Sequence, residues 1–318
     1  MSGYIVRRLI IGLAVLIVVS MVVFVVLREL PGDPLFLYIA ENRYSSLTPE
    51  NIHDLRVQYG LDRSLPVQYV DWIDHVVHGD FGTSILYRNS VASLIKGALP
   101  ITISLSILAM IFSAVLGILF GALSALRRGK WLDSLVTVLA NLGITAPPFW
   151  LGAIMIYVFS LYLGLLPVYG YTSPLKNLAV NLKQSIMPIL VLATFPVASA
   201  ARQTRSSVIE VMRQDYIRTA WAKGLSERVI IIRHVLKNAL MPVVTLQGML
   251  LRNIIGGSVV VETVFAIPGM GKLVVDGMIS QDYPVVQGVI LVVAVAVVIS
   301  NLVIDILYGW LDPRIQYE

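Results

Sequence analysis

Asp215-Tyr216-Ile217-Arg218-Thr219-Ala220-Trp221-Ala222-Lys223-Gly224-Leu225-Ser226-Glu227-Arg228-Val229, continuing to Arg233-His234, Asn238 and Pro242, is a charged, glycine-centred stretch between long apolar runs. Each charged side chain placed at bilayer depth costs about 2.5–3.5 kcal/mol or more, so a stretch this dense in charge lies in water. The runs on either side are spans. The rest of the chain agrees: 318 residues are 57% hydrophobic and only 14% charged, with a mean hydropathy of +0.80, where soluble domains carry about 25% charged residues. The class is an all-α polytopic membrane protein. With no cysteine, disulfides, thiolate catalysis and cysteine-based metal or iron–sulfur sites are excluded. The net charge of +5 bears on orientation rather than on nucleic acid.

Six stretches are apolar enough to cross about 30 Å of hydrocarbon: Leu9–Leu27, Ile101–Leu126, Leu135–Leu166, Ile186–Ala201, Ala239–Val261 and Val285–Ile304. The first follows Arg7-Arg8 and lacks a small-x-small cleavage pattern, so it reads as a retained span rather than a signal peptide. The third, about 48 Å long at helical rise, carries Pro147-Pro148 near its middle and is expected to be one kinked, tilted span. The fourth is short, with Lys183 and Arg202 placed to snorkel. Six spans return both termini to one side. That side carries fourteen basic residues against nine opposite, which makes both termini and the 202–238 loop cytoplasmic.

Four segments follow. Residues 1–30 are a cytoplasmic N-terminus and first transmembrane helix, 31–97 an extracytoplasmic segment, 98–308 a core of five spans, and 309–318 a cytoplasmic tail. The 31–97 segment is rich in aromatics (Tyr38, Tyr44, Tyr59, Tyr69, Trp72, Phe81, Tyr87) and has a helix-start signal at Thr48-Pro49-Glu50. Leu55, Tyr59 and a stop at Gly60 follow, so short amphipathic helices over the outer membrane face are expected. His75 and His78, three apart beside Asp71, Asp74 and Asp80, could share a metal. An ordinary solvated helix face explains them as well, because no third ligand is fixed by spacing.

Within the loop, Tyr216–Lys223 favours helix and Gly224 supplies the left-handed residue that ends it. Leu225 is placed to pack back on that turn, and Ser226 to cap a second helix whose first turn holds Glu227. Val229, Ile232, Val235, Leu236 and Ala239 give the second helix an apolar face, and Pro242 kinks the span it enters. The product is a short, rigid knob of helix, glycine corner and helix. A basic loop that only sets topology would share this composition.

Three further features carry two readings each. Arg252, deep in the fifth span, either lines a path or sits near the outer interface paired with Glu262 or a carbonyl. Gly117-x-x-x-Gly121 permits close helix contact, within the chain or against a second subunit. Ala146-Pro147-Pro148-Phe149-Trp150 is either a gate or a kink with a bulky anchor. Pro268-Gly269-Met270-Gly271-Lys272 is not a phosphate loop, because the upstream glycine and the following Ser/Thr are missing, and no other catalytic constellation is present.

Residues 215–242 resemble the loop motif of ABC-importer permease subunits, in the form of the dipeptide/oligopeptide/nickel permease family. Asp215, Tyr216, Arg218, Thr219, Ala220, Ala222, Lys223, Gly224, Leu225, Ser226, Glu227, Arg233, His234, Asn238, Ala239 and Pro242 stand in the motif's places. Pro31-Gly32-Asp33-Pro34, Tyr59-Gly60-Leu61-Asp62, Gly79-Asp80-Phe81-Gly82-Thr83-Ser84, Pro148-Phe149-Trp150-Leu151-Gly152, Gly256–Phe265, Pro268–Gly271, Asp282-Tyr283-Pro284 and Leu311-Asp312-Pro313-Arg314 agree, so the resemblance runs the full length. Trp221 departs from it, where a smaller or basic residue is usual.

The resemblance implies a six-span, type I ABC-importer transmembrane fold in the plasma (inner) membrane, translocating di- or oligopeptides by alternating access. Nickel complexes, glutathione and oligosaccharides are alternative cargoes. It implies a second homologous permease, two cytoplasmic ATPase subunits that bind ATP and magnesium, and an extracytoplasmic solute-binding protein, with no cofactor or metal in this chain and no nucleic acid. Tyr216, Arg218, Thr219, Ala220, Lys223, Gly224, Leu225, Ser226 and Glu227 would form a coupling helix on the ATPase, and Arg252, Pro147, Pro148 and Phe149 would belong to the path. A secondary transporter would instead show internal repeats and paired intramembrane acids, and neither is present; a membrane scaffold without transport would leave Arg252 and the proline breaks unexplained.

Overall fold

The computed structural model describes residues 2–29 and 62–311, with side chains for most of them. The expected helix start at Thr48, with Leu55, Tyr59 and Gly60, lies outside the described residues, as do Pro31–Pro34, residues 312–318 and the side chain of Arg252. Among the described residues the chain is helical, with one isolated bridge between Thr83 and Ser90. Four helices are long and apolar enough to cross a membrane, or six if each of two bent pairs is one span. The chain forms two compact units, residues 1–102 with 268–318, and residues 103–267.

In the first unit, α1 (Ser2–Glu29) packs along α11 (Tyr283–Leu311). A Cβ at Gly12 would lie 2.7 Å from Val298, so glycine sets how closely they approach. The amphipathic α2 (Leu65–Val77) lies against α1 through aromatic rings. Phe24 meets Tyr69 edge-on at 5.5 Å and Trp72 at 5.9 Å, the Ser20 and Tyr69 hydroxyls are 2.8 Å apart, and Arg28 Nε donates to Gln68. Val91, Ile95 and Ala98 of α3 (Val91–Leu126) share a core with Met270 and Leu273 of α10 (Met270–Ile279) and Val285 and Val289 of α11.

Two motifs 198 positions apart meet here. The fully buried Asp282 accepts from the Ser84 hydroxyl at 2.5 Å and from Leu86 N–H at 3.0 Å. His75 and His78 of α2 each turn Nδ1 to the carbonyl four residues back, and the Asp71 carbonyl raises the pKa of His75. Among the described residues no group of three metal-capable side chains forms.

In the second unit, α3 continues and is followed by α4 (Trp131–Thr145), α5 (Pro148–Met155, extended by wider π-helical turns to Tyr162), α6 (Leu178–Met212), α7 (Asp215–Ala222), α8 (residues 227–239) and α9 (Met241–Val264). The Gly117/Gly121 ridge is used within the chain. A Cβ at Gly117 would lie 2.5 Å from the Ala200 Cβ, and one at Gly121 would collide with the Ala201 carbonyl and lie 2.6 Å from Thr204. Small residues thus bring α3 and α6 together at backbone distance.

Several expected boundaries are corrected. The third apolar run is a break rather than a kink, with its halves turned by 110°. Ala146 (ψ 124°) and Pro147 (ψ 136°) are both extended, because each precedes a proline, and Pro148 restarts the helix at its first position. The short fourth span is the middle of a 35-residue helix, whose ends carry Asn181, Lys183, Gln184, Arg202 and Arg205. Those residues propagate helix without contributing hydropathy. The second span begins at Val91 rather than Ile101, continuing through Pro100. The bend expected at Pro242 is present, at 45°, with Pro242 at the start of α9.

Candidate functional site

The knob forms where α6 ends. Gln214 is extended (ψ 147°) and α7 begins at Asp215, whose carboxylate suits a helix N-terminus. Apolar positions three apart, Ile217 and Ala220, are buried, and every other residue from Met212 to Val229 is exposed. The buried pair joins Ala125 of α3, Val208 of α6, and Ile230, Val235 and Ala239 of α8 in one cluster. One face of α7 is therefore locked into the second unit while the other is bare.

The corner is built as expected at Gly224 (φ +72°). Gly224 N–H donates to Trp221 O at 3.0 Å and Leu225 N–H to Ala220 O at 3.4 Å, the paired bonds of a Schellman ending. Two local expectations are corrected. Ser226 holds the N-cap position with extended backbone, but its hydroxyl makes no capping bond. Leu225 stays exposed rather than packing back. The inward face of α8 also differs: Ile230 is buried, while Val229 and Ile232 are exposed. Residues 230–236 turn as a π-helix, so the buried positions step by five and then four, to Val235 and Ala239, instead of following the α period.

The nine residues expected to couple are thus placed as follows. Tyr216, Arg218, Thr219, Lys223, Gly224, Leu225, Ser226 and Glu227 lie on the bare face or the corner, and Ala220 lies beneath, in the cluster. Trp221 joins the bare face. Arg218 donates to Asp215 at 3.3 Å, an exposed pair worth a few tenths of a kcal/mol, roughly. Asn238 Nδ2 donates to the Tyr216 hydroxyl at 3.0 Å and to His234 O at 2.9 Å, fastening α7 to α8.

Pro147 and Pro148 form the α4–α5 break, and the Phe149 and Trp150 rings beside it are exposed. Gly152, one turn on, lets α5 approach α9: a Cβ there would lie 3.0 Å from Val264 and 3.3 Å from Phe265. Arg252 belongs to α9 by its backbone, and Glu262 on the same helix is completely buried.

Sequence reasoning missed a second device below the knob. Asp133, 6% exposed, accepts from Arg205 Nε at 2.7 Å and Nη2 at 3.0 Å, from the Ser124 hydroxyl at 2.6 Å and from Gly129 N–H at 3.0 Å. The signal was available, since Asp133 is the single acid between Asp80 and Glu210. A second polar pair, Ser113 with Gln247, joins α3 to α9 at 2.9 Å.

Residues 117–317 match the family model described as binding-protein-dependent transport system inner membrane component, and residues 1–106 match the N-terminal model of such membrane components. The chain is 40% identical over 320 residues to the oligopeptide transport system permease protein AppB of Bacillus subtilis (strain 168), covering all of both chains. It is 39% identical over 318 residues, again covering all of both, to a Brucella abortus (strain 2308) protein named as a peptide transport system permease. The solved structure of an amino acid ABC transporter with histidines aligns with 70% of this chain and 94% of its own, at TM-score 0.50 and 15% identity, a likeness of fold. By family model and full-length relatives alike, this chain is a membrane permease, itself a transport subunit rather than a catalytic one, and belongs to the binding-protein-dependent transport system inner membrane component family.

Proposed function

We propose that this chain is the membrane-spanning subunit of an ATP-driven importer of peptides, di- or oligopeptides first, and that α7 with the Gly224 corner is the surface on which an ATPase subunit acts. The observation that carries the reading is the two-sided character of α7. Ile217 and Ala220 fix it to three other helices, so a push on the bare face moves the body of the unit rather than a loose loop. Tyr216, Arg218, Thr219, Lys223, Leu225, Ser226 and Glu227 offer that partner aromatic, charged and hydroxyl groups, with charge-assisted hydrogen bonds supplied by Arg218, Lys223 and Glu227.

The complex has a second homologous permease, two ATPase subunits that bind ATP and magnesium, and an extracytoplasmic binding protein docking in part on residues 31–97. Both termini and the 202–238 loop are cytoplasmic, in keeping with the excess of basic residues there. ATP-driven closure of the ATPase pair shifts α7 and reorients the spans, with Arg252, Pro147, Pro148 and Phe149 on the path. The peptide cargo follows the names of the relatives. Nickel complexes, glutathione and oligosaccharides are the alternatives, and mass spectrometry of ligands on the co-purified binding protein distinguishes them.

The test of powering is Gly224→Asp in proteoliposomes containing the whole transporter. Asp tolerates φ +72° better than most residues, so the main effect is a new negative charge on the exposed corner that faces the partner, and ATP hydrolysis is expected to continue with uptake lost. Uptake per ATP equal to that of the unaltered transporter would overturn the assignment.

A further inference from the structure

The knob and the buried Asp133 site share the same helices at adjacent positions. On α3, Ser124 bonds Asp133 while Ala125 enters the cluster under α7. On α6, Arg205 bonds Asp133 while Val208, three residues later and on the same face, enters that cluster. Immediately before these contacts along both helices, α3 and α6 are held at backbone distance by Gly117 and Gly121 against Ala200, Ala201 and Thr204.

Asp133 is the third residue of α4, the helix that runs to the break at Pro147. A buried ion pair is a poor way to gain stability compared with packed apolar groups. A bidentate guanidinium–carboxylate pair with two further donors does fix direction and register. All four donors here come from elements other than the body of α4.

We infer that Asp133 and Arg205, set by Ser124 and Gly129, are the positioning link through which displacement of α7 is carried into α4 and to the Pro147 break. This rests on the reading of α7 as the ATPase contact. Without the link, α7 still receives the push and still moves with α3 and α6, and α4 keeps its packing on α6 around Gly143 and the Arg202–Asn141 bond, but its first turn is no longer fixed in direction and register.

The test uses the full transporter with its binding protein in nanodiscs, with ATP and vanadate as the probe. The chain has no cysteine, so Leu139→Cys on α4 and Arg213→Cys at the foot of α7, both exposed, are its only labelling sites, and any cysteines of the partner subunits are first replaced by Ser. In the otherwise unaltered chain the distance between the labels should be narrow and the same before and after trapping, because the link makes one body. Arg205→Lys keeps the charge and loses the fork. It should leave ATP hydrolysis intact and broaden the distance distribution on trapping; in proteoliposomes, whose closed lumen lets transport be measured, it should lower uptake per ATP by about tenfold, a coupling loss of ordinary size. Should Arg205→Lys fail to assemble, Ser124→Ala, which keeps both charges and removes one donor, carries the same measurement. A distribution that stays as narrow after trapping in these variants overturns the inference. Failure of the α7 reading shows separately, as normal coupling in Gly224→Asp.

Discussion

Gly121→Ala in α3 is the sharpest probe of the packing that supports the knob. The added methyl would meet the Ala201 carbonyl and lie 2.6 Å from the Thr204 Cβ. Backbone cannot step aside by changing rotamer, so α3 and α6 must part by about 1 Å to regain ordinary contact. Ser124 and Arg205 sit within one turn of the collision, and their bonds to Asp133 at 2.6 and 2.7 Å would stretch toward the limit of hydrogen bonding.

Overpacking costs about 1–3 kcal/mol. Weakening hydrogen bonds to a buried carboxylate adds part of the roughly 1.5–3 kcal/mol each is worth. Replacing a helical glycine returns about 1 kcal/mol, leaving Gly121→Ala destabilised by about 1–3 kcal/mol. Gly97→Ala is the control: it lies in the same helix, and a Cβ there meets nothing within 4 Å, so it keeps the propensity gain alone. At roughly 2 °C per kcal/mol for a chain of this size, the two variants should melt about 4–8 °C apart, compared in one detergent at one scan rate. Equal melting temperatures would refute the claim that glycine is needed for the α3–α6 approach.

Ser84→Ala removes the hydroxyl bonded to buried Asp282 and should cost about 1.5–3 kcal/mol, read as faster amide exchange at Leu86 and Tyr87, with exchange at α7 unchanged. Tyr216→Phe removes the exposed bond from Asn238 and should cost about 0.5 kcal/mol; its signature is faster exchange across 215–222 with little change in melting temperature. Gly224→Ala places a Cβ in open space but at φ +72°, so it should lose about 1 kcal/mol from backbone conformation alone. It adds no charge to the corner, so its coupling defect should be milder than that of Gly224→Asp, measured as uptake per ATP in the same vesicles.

Much of the knob is legible in the residues themselves. Its helix, its left-handed glycine and the restart after Ser226 are local events, set by hydrogen bonds that close within six residues. The inward face of α8 is not legible, because nothing local announces the π-helical turns that bury Ile230 in place of Val229 and Ile232. The 35-residue length of α6 was hidden as well, since hydropathy reports the lipid-compatible middle of a helix and not its polar ends.

Asp282 with Ser84 and Asp133 with Arg205 illustrate the same division. Asp133 stands out as an isolated acid and Asp282 within an Asp-Tyr-Pro stretch, but the partner of each is chosen by which helices pack together. The sequence by itself determined the membrane class, the approximate positions of the spans, the water-exposed loop and the glycine corner, because hydropathy, charge and backbone conformation act over a few residues. Only the tertiary structure decided that the Gly117/Gly121 ridge faces α6 and that Asp133 is satisfied by four donors. Those outcomes depend on packing and on partners as many as 83 positions away, which local preferences do not encode.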